Sequence, residues 1–121
     1  MGDDLTEKII GAAIEVHRIL GPGLLESIYE ESLSIELQLR GLKVGRQVEL
    51  EVHYKGHTIK GLRIDVLVEN QVIVELKSVS KLPEVAQAQV LSYLKATGLK
   101  RALLINFGLP KLVDGVKRLS L

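Results

Sequence analysis

Three charged residues, Asp65, Glu75 and Lys77, lie within two neighbouring apolar segments, 63–68 and 72–77, in the middle of the chain. In both segments the even positions are apolar, and alternation of this kind is typical of half-buried β-strands. The charged residues occupy odd positions. The apolar set consists of Ile64, Val66, Val68, Val72, Val74 and Leu76.

The loop between the two strands determines which residues lie opposite each other. A three-residue loop at 69–71 pairs Val68 with Val72 and therefore Asp65 with Glu75, which keeps the apolar sets on one face. A two-residue loop would instead pair Asp65 with Leu76 and separate the sets. The hydrophobic pattern therefore predicts that the two carboxylates lie side by side, with Cβ atoms ~5 Å apart.

Two carboxylates at this separation repel each other unless a positive charge lies between them. Oxygen ligands in a chain without cysteine favour Mg²⁺ or Mn²⁺ as that charge. Lys77 could orient or deprotonate a water, or stabilise charge on a phosphoryl group. The alternative is a solvated cluster of salt bridges, in which Lys77 pairs with Glu75 and Arg63 pairs with Asp65.

The composition of the 121-residue chain indicates one domain, residues 1–121, with an aliphatic core. The absence of cysteine excludes a disulfide scaffold and a thiolate site. No apolar run approaches membrane-spanning length, so we expect a soluble, cytoplasmic protein that does not bind membranes. Residues 1–39 carry a net charge of −6 and residues 40–121 a net charge of +7. The basic part could bind phosphate backbones, although an ordinary solvated surface also fits.

The periodicity along the chain predicts the element order α-α-β-β-β-α-β, followed by a tail. We expect helices over residues 4–20, 24–39 and 82–97, with Asp4 capping the first. Strands are predicted over 46–54, 58–68, 72–78 and 101–107. In the tail, residues 112–116 could form a short helix and 117–121 an extended segment. Three hairpin-linked strands followed by a helical crossover predict a mixed sheet in an α/β (α+β) fold.

The Asp65…Glu75-Leu76-Lys77 pattern on consecutive strands resembles the signature of the PD-(D/E)XK nuclease superfamily. In addition, the motif that names its GxxExxY family is similar to Gly23-Leu24-Leu25-Glu26-Ser27-Ile28-Tyr29. Residues 17–23 and 103–107 also resemble sequences of that family. The resemblance extends from about Leu5 to Leu119. It implies a restriction-endonuclease-like αβββαβ core with an extra N-terminal helix.

The resemblance also implies a role for individual residues. Asp65 and Glu75 would be metal carboxylates, the Leu76 carbonyl an additional metal ligand and Lys77 the catalytic lysine. Glu26 would be a helix carboxylate brought to the metal, and Gln89 would lie near the lysine. One departure is visible, because family members often carry His-Glu-Ala-Gln where this chain has Ala86-Gln87-Ala88-Gln89.

Residues around the site could contact the substrate. Tyr29 lies one turn after Glu26 and could donate a hydrogen bond to it or to a phosphate, or could simply pack in the core. Arg46, Lys60 and Arg63, around the first predicted hairpin, could position a nucleic-acid backbone.

The sequence thus predicts a Mg²⁺- or Mn²⁺-dependent phosphodiesterase that acts on nucleic acid, DNA in the first instance. The small size, together with the dimeric state of related resolvases, predicts a homodimer. The alternatives are a nucleic-acid-binding or protein-binding module without turnover and a small structural domain.

Overall fold

The computed structural model describes residues 3–121 and contains one five-stranded mixed sheet with helices against both faces. The elements are α1 (Asp4–Leu20), α2 (Glu26–Leu39), β1 (Val44–Tyr54), β2 (His57–Val68), β3 (Val72–Lys77), α3 (Val85–Thr97), β4 (Arg101–Asn106), a short 3₁₀ helix (Leu112–Gly115) and β5 (Val116–Ser120). The strand order is β1-β2-β3-β4-β5; β3 and β4 are parallel, and the other neighbours are antiparallel. This arrangement confirms the predicted mixed α/β fold and helical crossover.

The helix boundaries differ from the prediction by a few residues. Asp3, rather than Asp4, caps α1, because its carboxylate accepts hydrogen bonds from the backbone N–H groups of Leu5 and Thr6. Gly21, with φ of 71°, ends α1. Helix α2 begins at Glu26, two residues later than predicted, because the chain remains extended at Leu25.

The sheet separates two apolar clusters. Helices α1 and α2 pack on one face, where Tyr29 and Phe107 stack with ring centroids 4.4 Å apart. Helix α3 packs on the other face through Ala86, Val90 and Leu94. Burial on both faces explains why β3 and β4 are nearly continuous apolar runs.

The predicted register between β2 and β3 is confirmed, since Val66 pairs with Val74 and Val68 with Val72. The prediction that all even positions share one face is wrong for Ile64. That residue packs in the α3 cluster, whereas Val66 packs in the α1/α2 cluster. The β1–β2 ladder is interrupted at this point, between the pairs Arg46–Val66 and Val48–Ile64.

The tail contributes to the sheet more than its pattern predicted. Residues 112–115 form a 3₁₀ helix, and β5 then pairs along β4 from Val116–Ile105 to Ser120–Arg101. This strand covers the outer edge of β4. None of the helices in residues 3–121 is both long enough and apolar enough to cross a membrane.

Candidate metal centre

Asp65 and Glu75 lie opposite each other where the β2–β3 ladder ends. The last regular pair is Val66–Val74, and beyond it the carboxylates themselves bridge the strands. The Asp65 backbone N–H donates to Glu75 Oε1 over 2.9 Å, and the Leu76 backbone N–H donates to Asp65 Oδ2 over 3.0 Å. The predicted proximity of the two carboxylates is therefore confirmed. Here the side-chain oxygens accept the hydrogen bonds that backbone carbonyls accept in a regular ladder.

Glu75 is buried with only 6% of its surface exposed. Burial raises the pKa of its carboxyl to about 8, and the negative charge of Asp65 acts in the same direction, while the positive charge of Lys77 lowers it. Without a cation, Glu75 therefore holds a proton near neutral pH. Lys77 alone does not neutralise the pair.

The donor atoms at this site fit a hard divalent cation. They are carboxylate oxygens, and Mg²⁺ is commonly bound through one or two carboxylates with water completing its coordination. In the part of the chain that the structure describes, no three His, Asp or Glu side chains are grouped to hold a metal. Two carboxylates are brought together here, Asp65 and Glu75, and they are the candidate side-chain ligands.

The salt-bridge alternative does not match the observed pairing. Arg63 lies 3.6 Å from Glu49 across the β1–β2 hairpin. Among residues 3–121, no salt bridge joins Arg63 to Asp65 or Lys77 to Glu75. The carboxylate pair is therefore not a surface ion-pair cluster.

A polar network on the α2 side extends from Asp65. The Gln47 amide donates to Glu30 Oε1 over 2.6 Å and lies 3.4 Å from Asp65 Oδ1. Arg46 donates to the other oxygen of Glu30 over 3.1 Å. Gln47 has φ of 49°, which is rare for a residue with a side chain, and it lies at the interruption of the ladder. The local backbone thus turns the Gln47 side chain toward Glu30 and Asp65.

Glu26 has a different environment from Glu30. It is exposed in the first turn of α2, and the structure places no hydrogen bond between it and Asp65 or Glu75 within residues 3–121. Ser78 Oγ donates to the Leu24 carbonyl over 2.5 Å, which holds the start of α2 near the end of β3. The role of Glu26 as a metal ligand stays a prediction, and the α2 carboxylate connected to Asp65 is the buried Glu30.

Tyr29 packs in the core, which is one of the two roles that the sequence allowed for it. Its side chain is fully buried, and its hydroxyl donates to the Gly21 carbonyl over 2.5 Å and accepts from the Leu24 N–H over 3.1 Å. It therefore orders the loop before α2. A contact with substrate would require the hydroxyl to leave both partners.

Helix α3 brings a tyrosine to the carboxylates that the predicted site omitted. Partial burial raises the pKa of the Tyr93 phenol, as do the negative charges of Glu75 and Asp65, while a side-chain hydrogen bond with Gln89 lowers it. Gln89 and Tyr93 thus lie together on the side of α3 that faces the site. The signal in the sequence was their spacing of four residues, which places side chains on one helix face.

The end of β4 fixes the segment that follows Lys77. The Phe107 N–H donates to the Lys77 carbonyl over 2.8 Å. Asn106 accepts from the Val79 N–H over 3.0 Å and donates to the Val79 carbonyl over 2.9 Å. The backbone approaches closely here, since a Cβ at Gly108 would lie 2.3 Å from the Val79 carbonyl oxygen. These contacts hold the backbone at the carbonyl of the lysine and in the two residues after it.

The predicted substrate-binding cations lie on β1 and β2. Arg46 is bound to Glu30, with Glu31 3.8 Å away. Arg63 is exposed beside Glu49, and Lys60 is exposed where the register of the hairpin shifts, opposite Glu51. All three cations are therefore exposed, and Arg46 is in addition paired with Glu30.

Comparison with known proteins identifies the family and the fold of the chain. A family model described as the PD-(D/E)XK nuclease superfamily matches residues 3–119. The solved crystal structure of SSO0001 is similar with a TM-score of 0.52 and 16% sequence identity, over 97% of this chain and 76% of that one. At this identity the likeness concerns the fold alone. No curated protein matches the chain.

Proposed function

The chain belongs to the PD-(D/E)XK nuclease superfamily, and from that premise we propose that it is a Mg²⁺-dependent nuclease that hydrolyses phosphodiester bonds in DNA. The observation that supports this most directly is the Asp65–Glu75 pair at the opened end of a ladder, in which Glu75 is buried and Lys77 follows on the same strand. Nucleases of this superfamily typically use divalent metals such as Mg²⁺. We also propose that the chain is a member of the GxxExxY family within this superfamily.

In this proposal each residue has a separate task. Asp65 and Glu75 would hold the cation, and the Leu76 carbonyl and the Glu26 carboxylate would be further ligands. When bound, the cation supplies Lewis-acid stabilisation of the phosphoryl group and lowers the pKa of water. Lys77 stabilises the negative charge that builds on the scissile phosphate.

Residues around the pair position the lysine and the substrate. Gln89, on α3, orients Lys77. This role is supported by the hydrogen bond between Gln89 and Tyr93, because Tyr93 lies close enough to the carboxylates to be affected by their charge. Lys60 and Arg63 contact the phosphate backbone, since both are exposed on the strand that carries Asp65. Tyr29 supports the loop that precedes Glu26, and Arg46 acts through Glu30.

Cleavage assays with matched variants test the proposal. Supercoiled, branched and single-stranded DNA are incubated with the protein in Mg²⁺ or Mn²⁺ and analysed on gels. We expect cleavage by the wild type, loss of cleavage in Asp65→Asn and Lys77→Ala, and wild-type cleavage in Lys81→Ala. Lys81 is an exposed lysine four residues beyond Lys77 and serves as the control.

The same assay addresses the alternative of a binding module without turnover. Binding of DNA by the wild type with no cleavage in either metal would refute the nuclease and favour the module, for which the altered Ala86–Gln89 segment is the supporting feature. Absence of any metal-dependent rise in melting temperature would favour a purely structural domain, because a ligand bound only by the native state must stabilise it.

We propose that the functional form is a homodimer in the cytoplasm. Ile19 of α1 and Ile35 of α2 are exposed beside a shared groove, and exposed apolar patches commonly mark association surfaces. Sedimentation equilibrium gives the molar mass directly. A mass equal to one chain at assay concentrations would refute the dimer.

A further inference from the structure

The hairpin formed by β1 and β2 is much longer than the strand beside it. β2 has 12 residues, whereas β3 has six. The regular ladder between these two strands covers only Val66, Leu67 and Val68 on β2. The β1–β2 pairing continues without a third strand as far as Tyr54–His57. We call this two-stranded projection, residues 50–62, the arm.

The arm extends from the end of the sheet that carries the candidate site. Since β2 and β3 are antiparallel, the residues that precede Asp65 continue past Glu75 in the direction of Lys77. From Asp65 to His57 the strand is about 26 Å long at ~3.3 Å per residue. The arm therefore flanks any molecule that reaches the carboxylates from that side.

The arm contributes little to the core of this chain. Every residue from His53 to Gly61 is exposed, including Tyr54 at 59% and Ile59 at 51% exposure. A two-stranded hairpin that is exposed on both faces is marginally stable at best. Its length is therefore not explained by packing within the chain.

A bulge changes the direction of the arm near its base. Between the pairs Leu50–Leu62 and Val52–Ile59, two residues of β2 lie opposite one residue of β1. Gly61 lies within the bulge with φ of 116°, a conformation that side chains rarely allow. Bulges bend the strand and increase its twist, so the arm does not continue the plane of the sheet.

The charge of the arm is complementary to phosphate. The arm contains Lys55, Lys60, two histidines and one acidic residue, Glu51 near its base, so its formal charge is +1. The Lys55 ammonium lies 5.6 Å from the centre of the exposed Tyr54 ring. A contact between the arms of two copies would bring these lysines together, so a polyanion fits the surface better than a second copy.

We propose that the arm binds duplex DNA, with the ribbon in the major groove and its lysines on the phosphates, so that the site acts on double-stranded substrate. The inference rests on the proposed nuclease function. The major groove of B-DNA, about 12 Å wide, admits a two-stranded β-ribbon, whereas the deep, narrow major groove of RNA duplexes does not.

Binding of a labelled DNA duplex of about 20 base pairs, two helical turns, tests the proposal. Fluorescence anisotropy is recorded in Ca²⁺ over a range of salt concentrations for the wild type and for Lys55→Ala/Lys60→Ala. We expect binding about tenfold weaker in the variant, and a slope of log K against log salt reduced by about 2. The control, Lys95→Ala/Lys100→Ala, changes the same charge at exposed positions near the end of α3 and should bind like the wild type.

A shortened variant and two further measurements complete the test. Replacing residues 51–61 with Asn-Gly closes Leu50 and Leu62 in a two-residue turn and should weaken duplex binding at least as much. The proposal would be overturned by unchanged duplex affinity in the lysine variant, or by an equal loss of its affinity for single-stranded DNA or duplex RNA. Conversion of a dimer to a monomer by either variant would also overturn it. Failure of the wild type to bind any nucleic acid would instead refute the proposed function itself.

Discussion

Replacing Glu75 with Gln removes the ionisable group at the centre of the candidate site while it keeps the size of the side chain. The pKa of Glu75 is about 8 in the folded protein, against an ordinary value of 4.5, chiefly because the carboxyl is buried and secondly because Asp65 is negative. The folded protein therefore holds a proton that the unfolded chain releases. The free energy of unfolding of the metal-free wild type should fall as the pH rises through this window.

The magnitude follows from the two pKa values. Below the ordinary value both states are protonated and the contribution vanishes, and above about 8 both are ionised and the penalty is constant. Between about pH 6 and about pH 8 the wild type should lose about 2 kcal/mol from this group. Glu75→Gln has no proton to release in this pH range. The difference in free energy of unfolding between the two proteins should therefore change by that amount from the lower to the higher pH.

Urea unfolding followed by circular dichroism, in EDTA at both pH values, measures the difference. Glu84→Gln exchanges the same atoms at an exposed position and should follow the wild type. Added Mg²⁺ should stabilise the wild type, and more at the higher pH, because binding requires the ionised carboxylate. The reasoning is refuted if Glu75→Gln and the wild type lose stability in parallel.

Three further substitutions address the surroundings of the site. Gln47→Ala should weaken Mn²⁺ binding, measured by electron paramagnetic resonance, by about tenfold, because outer-shell partners orient the ligand carboxylate, here Asp65; equal affinity would exclude a positioning role. Tyr93→Phe should leave the melting temperature nearly unchanged but lower cleavage, and a wild-type rate would place Tyr93 outside the site. Asn106→Ala should lower the free energy of unfolding by about 2 kcal/mol, because the backbone groups of Val79 lose their partner; urea unfolding measures this, and a loss below the error of the method would contradict it.

Local patterns were sufficient to predict the pairing at the centre of the site. The alternation of apolar residues in β2 and β3 allowed one register, and that register is observed at Val66–Val74 and Val68–Val72. The position of Asp65 beside Glu75 follows from it. Hairpins are predictable in this way because their two strands are adjacent in sequence and a one-residue slip would expose an entire apolar face.

The surroundings of the pair were not predictable from such patterns. The interruption at Gln47 moves Ile64 to the α3 face, although the alternation in the sequence continues through Asp65. Glu26 and Glu30 lie on the same helix and differ little in sequence context, yet it is Glu30 that reaches Gln47. The distinction depends on how α2 docks on β1.

The sequence by itself therefore determined the order of the elements and the pairing of Asp65 with Glu75, because these depend on local periodicity and a short turn. Only the tertiary structure decided which helix side chains surround that pair. Glu30 and Tyr93 reach their positions through contacts between elements that are distant along the chain. Periodicity gives the face that a helix buries, but the angle and height at which it packs are set by the whole core.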